Sequence, residues 1–158
     1  MRISSLQLSG NSGLKGFQKK VIEDIEVLFH IYSGRVVQDY HGGIGLFINS
    51  DSGIKFVENP TKSYDAIFNM SSGQLASLII SFTLALNKKY SQNKILLIDD
   101  PIQTLDDINI ASFIDLLRHD FNDRQIIIST HEESMSAFMR YKFEKLGLKA
   151  KRISLREL

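Results

Sequence analysis

Between residues 17 and 32 the apolar positions Val21, Ile25, Leu28, Phe29 and Tyr32 recur at helical spacing, while Lys19, Lys20, Glu23, Asp24 and Glu26 take the other side. Steps of three and four residues put the first set on one face, so the pattern predicts an amphipathic helix from Phe17 to Tyr32. The residues before it, MRISSLQLSGNSG, are polar and contain glycine. They read as a flexible lead-in over 1–14, leaving 15–158 as one lobe. Two β-rich runs follow, IGLFI at 44–48 and IKFVE at 54–58, joined by Asn49, Ser50, Asp51, Ser52 and Gly53. Short apolar runs around such a turn predict a hairpin.

After Pro60 the texture becomes alternating helix and strand, the pattern of an α/β layer with a largely parallel sheet and flanking helices. A helix from Ser72 to Tyr90 is predicted to turn Leu75, Leu78, Ile79, Phe82 and Leu86 to the core. The unbroken apolar run of KILLID reads as a strand covered on both faces. Ile110, Phe113, Ile114, Leu117 and Phe121 mark the next helix, and QIIIS at 125–129 reads as a second buried strand. A last helix from Glu132 to Leu146 carries Met135, Phe138 and Met139 and stops before Gly147, and RISL at 152–155 reads as a short closing strand.

Three segments on this frame carry candidate chemistry: MSSGQ at 70–74, ILLIDDPIQTLDD at 95–107 and IIISTH at 126–131. The apolar run Ile95–Ile98 delivers Asp99 and Asp100 to the C-terminal end of a strand, where open α/β sheets bind ligands. Carboxylates there hold Mg²⁺ or orient a water for attack on a γ-phosphate. The bland reading is an acidic turn that Pro101 closes. Ser71 and Gln74 form an S-x-x-Q capping box, which explains both without a ligand. Gly73 is not explained that way, since glycine in a helix costs roughly 1 kcal/mol against alanine. It makes sense where a phosphate approaches the free N–H groups of a helix start. His131 leaves the second strand at the same edge as Asp100, so the two are positioned to converge on one ligand. An imidazole there can hydrogen-bond a phosphate oxygen or hold the attacking water.

A P-loop is absent. The nearest imitation, SGNSGLKG at 9–16, sets Gly10, Gly13 and Lys15 too close together, and no Ser or Thr follows the lysine. The chain has no cysteine, which excludes a disulfide framework and thiolate metal sites and fits a reducing compartment. Its 158 residues suit one domain, and the net charge of +1 forces no particular partner. Basic residues gather late, at Lys142, Lys145, Lys149, Lys151, Arg152 and Arg156. Glu144 and Glu157 dilute that run, which favours a solvated helix face and tail over a nucleic-acid patch. The longest apolar stretch, Leu75 to Leu86, is broken by Ser77, Ser81 and Thr83 and is too short to span a membrane.

Taken together, these motifs resemble the C-terminal lobe of an ABC-type ATPase head. MSSGQ is similar to the signature motif, ILLIDD to Walker B, Thr104, Leu105 and Asp106 to the D-loop, and His131 to the switch histidine. Any one of these is weak, whereas four in this order and at this spacing are specific. The apolar continuation LASLIISFTLALN, in place of an arginine-rich stretch, resembles the SMC, RecN and SbcC-like group rather than membrane-transporter subunits. The wording DDPIQTLDD is similar to SMC-like ATPases of bacterial defence against phages and plasmids.

The resemblance implies an ATPase with ATP and Mg²⁺ that works in DNA maintenance, repair or defence. It implies that Asp99 binds Mg²⁺ through water, that Asp100 stands where most relatives have the catalytic glutamate, and that His131 senses the γ-phosphate. Ser71, Ser72, Gly73 and Gln74 then reach a nucleotide held on an opposing head, and Asp106 lines the dimer seam. Implied partners are an N-terminal P-loop lobe on the same or a separate chain, a second head, and DNA, with Lys149, Lys151 and Arg152 as contact candidates. The helix from Phe17 to Tyr32 would be the root of a coiled coil, and the location the cytoplasm, at the nucleoid. Ser72 departs from the first glycine of the usual signature. Asp100 is one methylene shorter than glutamate, and a base displaced by ~1 Å can lose on the order of 100-fold in rate. The rival expectation is a non-catalytic dimerisation or regulatory module that keeps the lobe fold.

Overall fold

The computed structural model describes residues 3–37, 45–50, 53–62, 64–101, 103 and 105–154, with side chains from residue 13 onward. Helix α1 runs from Ile3 to Val36, so it extends through the segment read as a lead-in and four residues past Tyr32. Its buried residues Ile25, Phe29, Tyr32 and Val36 follow the 3.6-residue period and lie at most 1% exposed. They form the centre of the main core, against α2 (Ser72–Tyr90) and α3 (Asp107–Asp120).

Helix α2 has the predicted limits but not the predicted face. Leu78 is buried and Phe82 and Leu86 pack against the core, yet Leu75 and Ile79 are exposed. The inward stripe is instead Ser77, Leu78, Ser81, Leu84 and Ala85. Ser77 and Ser81 are fully buried on that stripe, and the Ser81 hydroxyl donates to the Ser77 carbonyl at 2.7 Å, which offsets its burial. Helix α3 and its C-cap Phe121 turn in all five residues expected of the segment, Ile110, Phe113, Ile114, Leu117 and Phe121, none more than 2% exposed.

Strands β1 (Phe47–Asn49) and β2 (Lys55–Val57) pair antiparallel, with Ile48 opposite Phe56. Phe56 completes an aromatic triangle with Phe29 and Phe82, at centroid separations of 5.3, 5.8 and 5.9 Å. Such tilted and edge-to-face pairs contribute about 1 kcal/mol each beyond their burial. The hairpin is tied to α1 just before β1: the Leu46 N–H donates to Ser33 Oγ at 2.9 Å, and the His30 ring stacks on Phe47. A 3-10 turn, Ala66–Asn69, leads into α2 and is capped by Asp65, which also accepts from the Phe56 N–H at 3.1 Å. Buried Tyr32 lies near Asp120, and both desolvation and that carboxylate push its phenol well above its ordinary pKa.

Strands β3 (Ile95–Ile98) and β4 (Gln125–Ile128) pair parallel and in register, Ile98 opposite Ile128. Leu96, Ile98, Ile126 and Ile128 pack on the core. The opposite face contradicts the expectation of strands covered on both sides, since Ile95, Leu97 and Ile127 are 55, 73 and 46% exposed. Among the described residues no second layer lies over them. Helix α4 (Glu133–Lys145) joins a smaller core of Leu105, Ile110, Ile114 and Met139. It closes in a Schellman turn: Gly147, at φ 79°, donates to Glu144, and Leu148 donates to Phe143. Residues 152–154 form no strand, contrary to the closing strand read from RISL, and Leu155 lies outside the described residues. No helix among the described residues is long and apolar enough to cross a membrane.

Candidate functional site

Parallel pairing in register brings the residues after β3 and after β4 to one edge. Asp99 and Asp100 leave β3 there, and Ser129, Thr130 and His131 leave β4 beside them. His131 Nδ1 lies 2.8 Å from Asp100 Oδ2, so the two residues expected to converge are in contact. The His131 side chain is 59% exposed, whereas that of Asp100 is 29% exposed. Asp100 Oδ1 is buried and has no hydrogen-bond partner.

Asp100 is also the one non-glycine residue with positive φ, 39°, among those described. Left-handed backbone costs a non-glycine residue about 1 kcal/mol or more, although aspartate tolerates it better than most. Two acceptors on Ser129 hold it there: the Asp100 N–H reaches Ser129 Oγ at 3.0 Å and the Ser129 carbonyl at 3.2 Å. The Ser129 N–H in turn donates to the Ile98 carbonyl at 3.0 Å, and the Ser129 hydroxyl donates to Asp99 Oδ1. Reading the chain one strand at a time passes over Ser129, which looks like the end of QIIIS. Its signal lies in the pairing, because a hydroxyl one step beyond Ile128 sits opposite a carboxylate one step beyond Ile98.

Among the described residues no three carboxylates or imidazoles cluster as a metal cage. Mg²⁺ does not require one, since it keeps several waters and takes one or two carboxylates together with substrate phosphates. Exposed Asp99, with only Oδ1 engaged, fits that donor set.

The other candidates stand apart from this group. Ser71 and Gln74 bond to each other in a full capping box, Gln74 N–H to Ser71 Oγ at 3.2 Å and Ser71 N–H to Gln74 Oε1 at 3.0 Å. Ser72 and Gly73 form the first turn of α2, with Ser71 and Ser72 exposed. Asp106 caps α3, accepting from the Asn109 N–H at 2.8 Å, and Leu105 is buried in the smaller core. Thr104 lies outside the described residues. Lys149 and Lys151 are exposed, whereas Arg152 donates to Glu133 Oε1 at 2.7 Å. That bond brings the tail back to the first turn of α4, two residues after His131.

No protein-family model matches the sequence, and comparison with curated proteins finds no match. Solved structures do match. One comes from work on ATP-driven dimerization and DNA-stimulated activation of SMC ATPases; it is 22% identical with a TM-score of 0.62, over 78% of this chain and 76% of that one. Another is an Smc head bound to the C-winged-helix domain of ScpA, 22% identical with a TM-score of 0.57; the match covers 73% of this chain and 36% of that one. At this identity the likeness speaks for the fold, and the chain has the α/β fold of part of an SMC ATPase head.

Proposed function

We propose that this chain is the signature and Walker B half of an SMC-like ATPase, which dimerises on ATP and hydrolyses it when joined to a P-loop lobe. The observation that carries the reading is the Asp100–His131 contact at the C-terminal edge of two parallel strands, beside exposed Asp99. In this reading Asp99 would hold Mg²⁺ through water. When bound, the metal would supply charge neutralisation at the phosphates. Asp100 orients the attacking water and takes its proton, and His131, protonated on both ring nitrogens, donates through Nδ1 to Asp100 and through Nε2 to a phosphate oxygen.

The rest of the ATP site belongs to other surfaces. At the start of α2 the capping box takes the N–H groups of Ser71 and Gln74, and those of Ser72 and Gly73, with the helix dipole, are what would receive a γ-phosphate from an opposing head. Leu105 and Asp106, with Thr104, belong to the seam between heads. The open apolar face at Ile95, Leu97 and Ile127 suits the P-loop lobe, since an uncovered parallel sheet is otherwise costly in water. DNA is the partner in maintenance, repair or anti-phage and anti-plasmid defence, with the cytoplasm and nucleoid as the location. A non-catalytic lobe remains the competing reading, favoured by the fact that the capping box satisfies Ser71 and Gln74 with no ligand. The test is steady-state ATPase activity of the chain assembled with its P-loop lobe. Turnover lost on Asp100→Asn supports the engine, and an assembly that binds but never hydrolyses ATP supports the competing module.

A further inference from the structure

We infer that Ser129 is a positioning residue for the aspartate pair: one hydroxyl group sets both the free oxygen of Asp99 and the backbone of Asp100. The inference rests on the ATPase reading above and assigns a role to a residue that lies within the IIISTH segment but has no role in the motif reading. A serine hydroxyl carries one proton. Here it is donated to Asp99 Oδ1, so the oxygen lone pairs are what receive the Asp100 N–H at 3.0 Å. Donor and acceptor capacity are thus both used, each on a different aspartate.

Each bond has a separate consequence. Capping Asp99 Oδ1 turns the carboxylate and leaves Oδ2 as the oxygen for a hydrated cation. Receiving the Asp100 N–H, together with the Ser129 carbonyl at 3.2 Å, holds Asp100 at φ 39°. That backbone rotation directs Oδ2 to His131 at 2.8 Å. Ser129 itself is anchored from below by its N–H to the Ile98 carbonyl at 3.0 Å, so the clamp belongs to the strand pair and not to a loose loop. An alanine keeps the anchor and the carbonyl acceptor and removes the hydroxyl alone. Asp99 is then free to rotate, and Asp100 loses one of two bonds holding its strained backbone. A threonine restores the hydroxyl at the same atom.

The experiment compares parent, Ser129→Ala and Ser129→Thr in the chain assembled with its P-loop lobe, by two measurements. In Mg²⁺ titrations of ATP turnover, Ser129→Ala should lower kcat by about tenfold and raise the Mg²⁺ concentration for half-maximal rate, with the KM for ATP changed less than about twofold. Ser129→Thr should restore both. Aspartate carboxylate and amide resonances, followed without nucleotide, should move at Asp99 and Asp100 in Ser129→Ala and return in Ser129→Thr. The inference is overturned if Ser129→Ala keeps the parent turnover and Mg²⁺ dependence, if Ser129→Thr is as impaired as alanine, or if those resonances stay in place. A parent assembly with no turnover overturns the ATPase reading instead. The resonances alone then decide the clamp: movement in alanine with recovery in threonine upholds it, and their constancy overturns it.

Discussion

Asp100 Oδ2 and His131 Nδ1 lie 2.8 Å apart, although 31 positions separate them in the chain. The contact joins the ends of β3 and β4, so a change at either residue is felt by the other. In the assembled head, Asp100→Asn keeps the shape of the side chain and removes its ability to accept a proton. Nucleotide binding should persist while turnover falls by about 100-fold or more, the usual contribution of a general base. Parallel nucleotide-binding and steady-state assays check this, and unchanged turnover would reduce Asp100 to a turn residue.

At Ser71 the cap and the ligand site make different demands. Ser71→Ala removes the oxygen that accepts from the Gln74 N–H and should cost about 1 kcal/mol of stability in urea denaturation. Ser71→Arg places a long side chain at the exposed start of α2. It should leave nucleotide bound to its own head and block ATP-driven head dimerisation, measured by sedimentation. Dimerisation at the parent level would remove residues 70–74 from the nucleotide site.

Leu97 tests the open sheet face. The residue is 73% exposed, so Leu97→Asp should leave the lobe folded. If the P-loop lobe covers this face, a carboxylate there should weaken assembly by about 2 kcal/mol or more, since a charge is then buried without a partner. Calorimetry or co-purification of the two lobes measures it, and full-strength assembly would send the P-loop lobe to another surface.

A stability prediction concerns Gly45, which is buried against the end of α1. A Cβ built there would lie 1.9 Å from the His30 carbonyl oxygen, a backbone atom with no flexible side chain to yield. Gly45→Ala should therefore push the hairpin away from α1 and cost about 2 kcal/mol. Urea denaturation would show it, accompanied by loss of the His30–Phe47 stacking. Unchanged stability would mean that the hairpin moves without strain.

The tail offers a salt-dependence test. Lys149 and Lys151 are exposed, while Arg152 is engaged by Glu133. Changing both lysines to glutamate should weaken DNA binding by the assembled head and lower the slope of log affinity on log salt by about one per lost phosphate contact. An unaltered slope would leave these lysines as a solvated tail.

Where side chains sort by local geometry, the residues alone were enough. Helix α3 with its C-cap Phe121 turns in the five residues the period selects, and α2 begins at Ser72 because Ser71 and Gln74 cap it locally. The order of the motifs placed Asp99, Asp100 and His131 at strand ends, for the same reason: each strand is a short apolar run whose end is visible in the chain. Apolarity misled where the neighbour mattered more than the residue. Leu75 and Ile79 stay exposed on α2, and the buried stripe runs instead through Ser77 and Ser81, so the choice of face depends on how α2 is set against its neighbours. Ile95, Leu97 and Ile127 look buried by composition and lie open, because burial depends on what is packed against a face.

Most elements, their order and the residue types at the strand edge were legible in the sequence by itself, since backbone propensity, capping and periodicity act within a few residues. The helix through the lead-in and the lack of a strand over 152–154 were not. Only the tertiary structure decided that β3 and β4 pair in parallel register. Hydrogen bonding between those strands acts across some thirty residues of chain, and it alone sets Ser129 against both aspartates and His131 against Asp100.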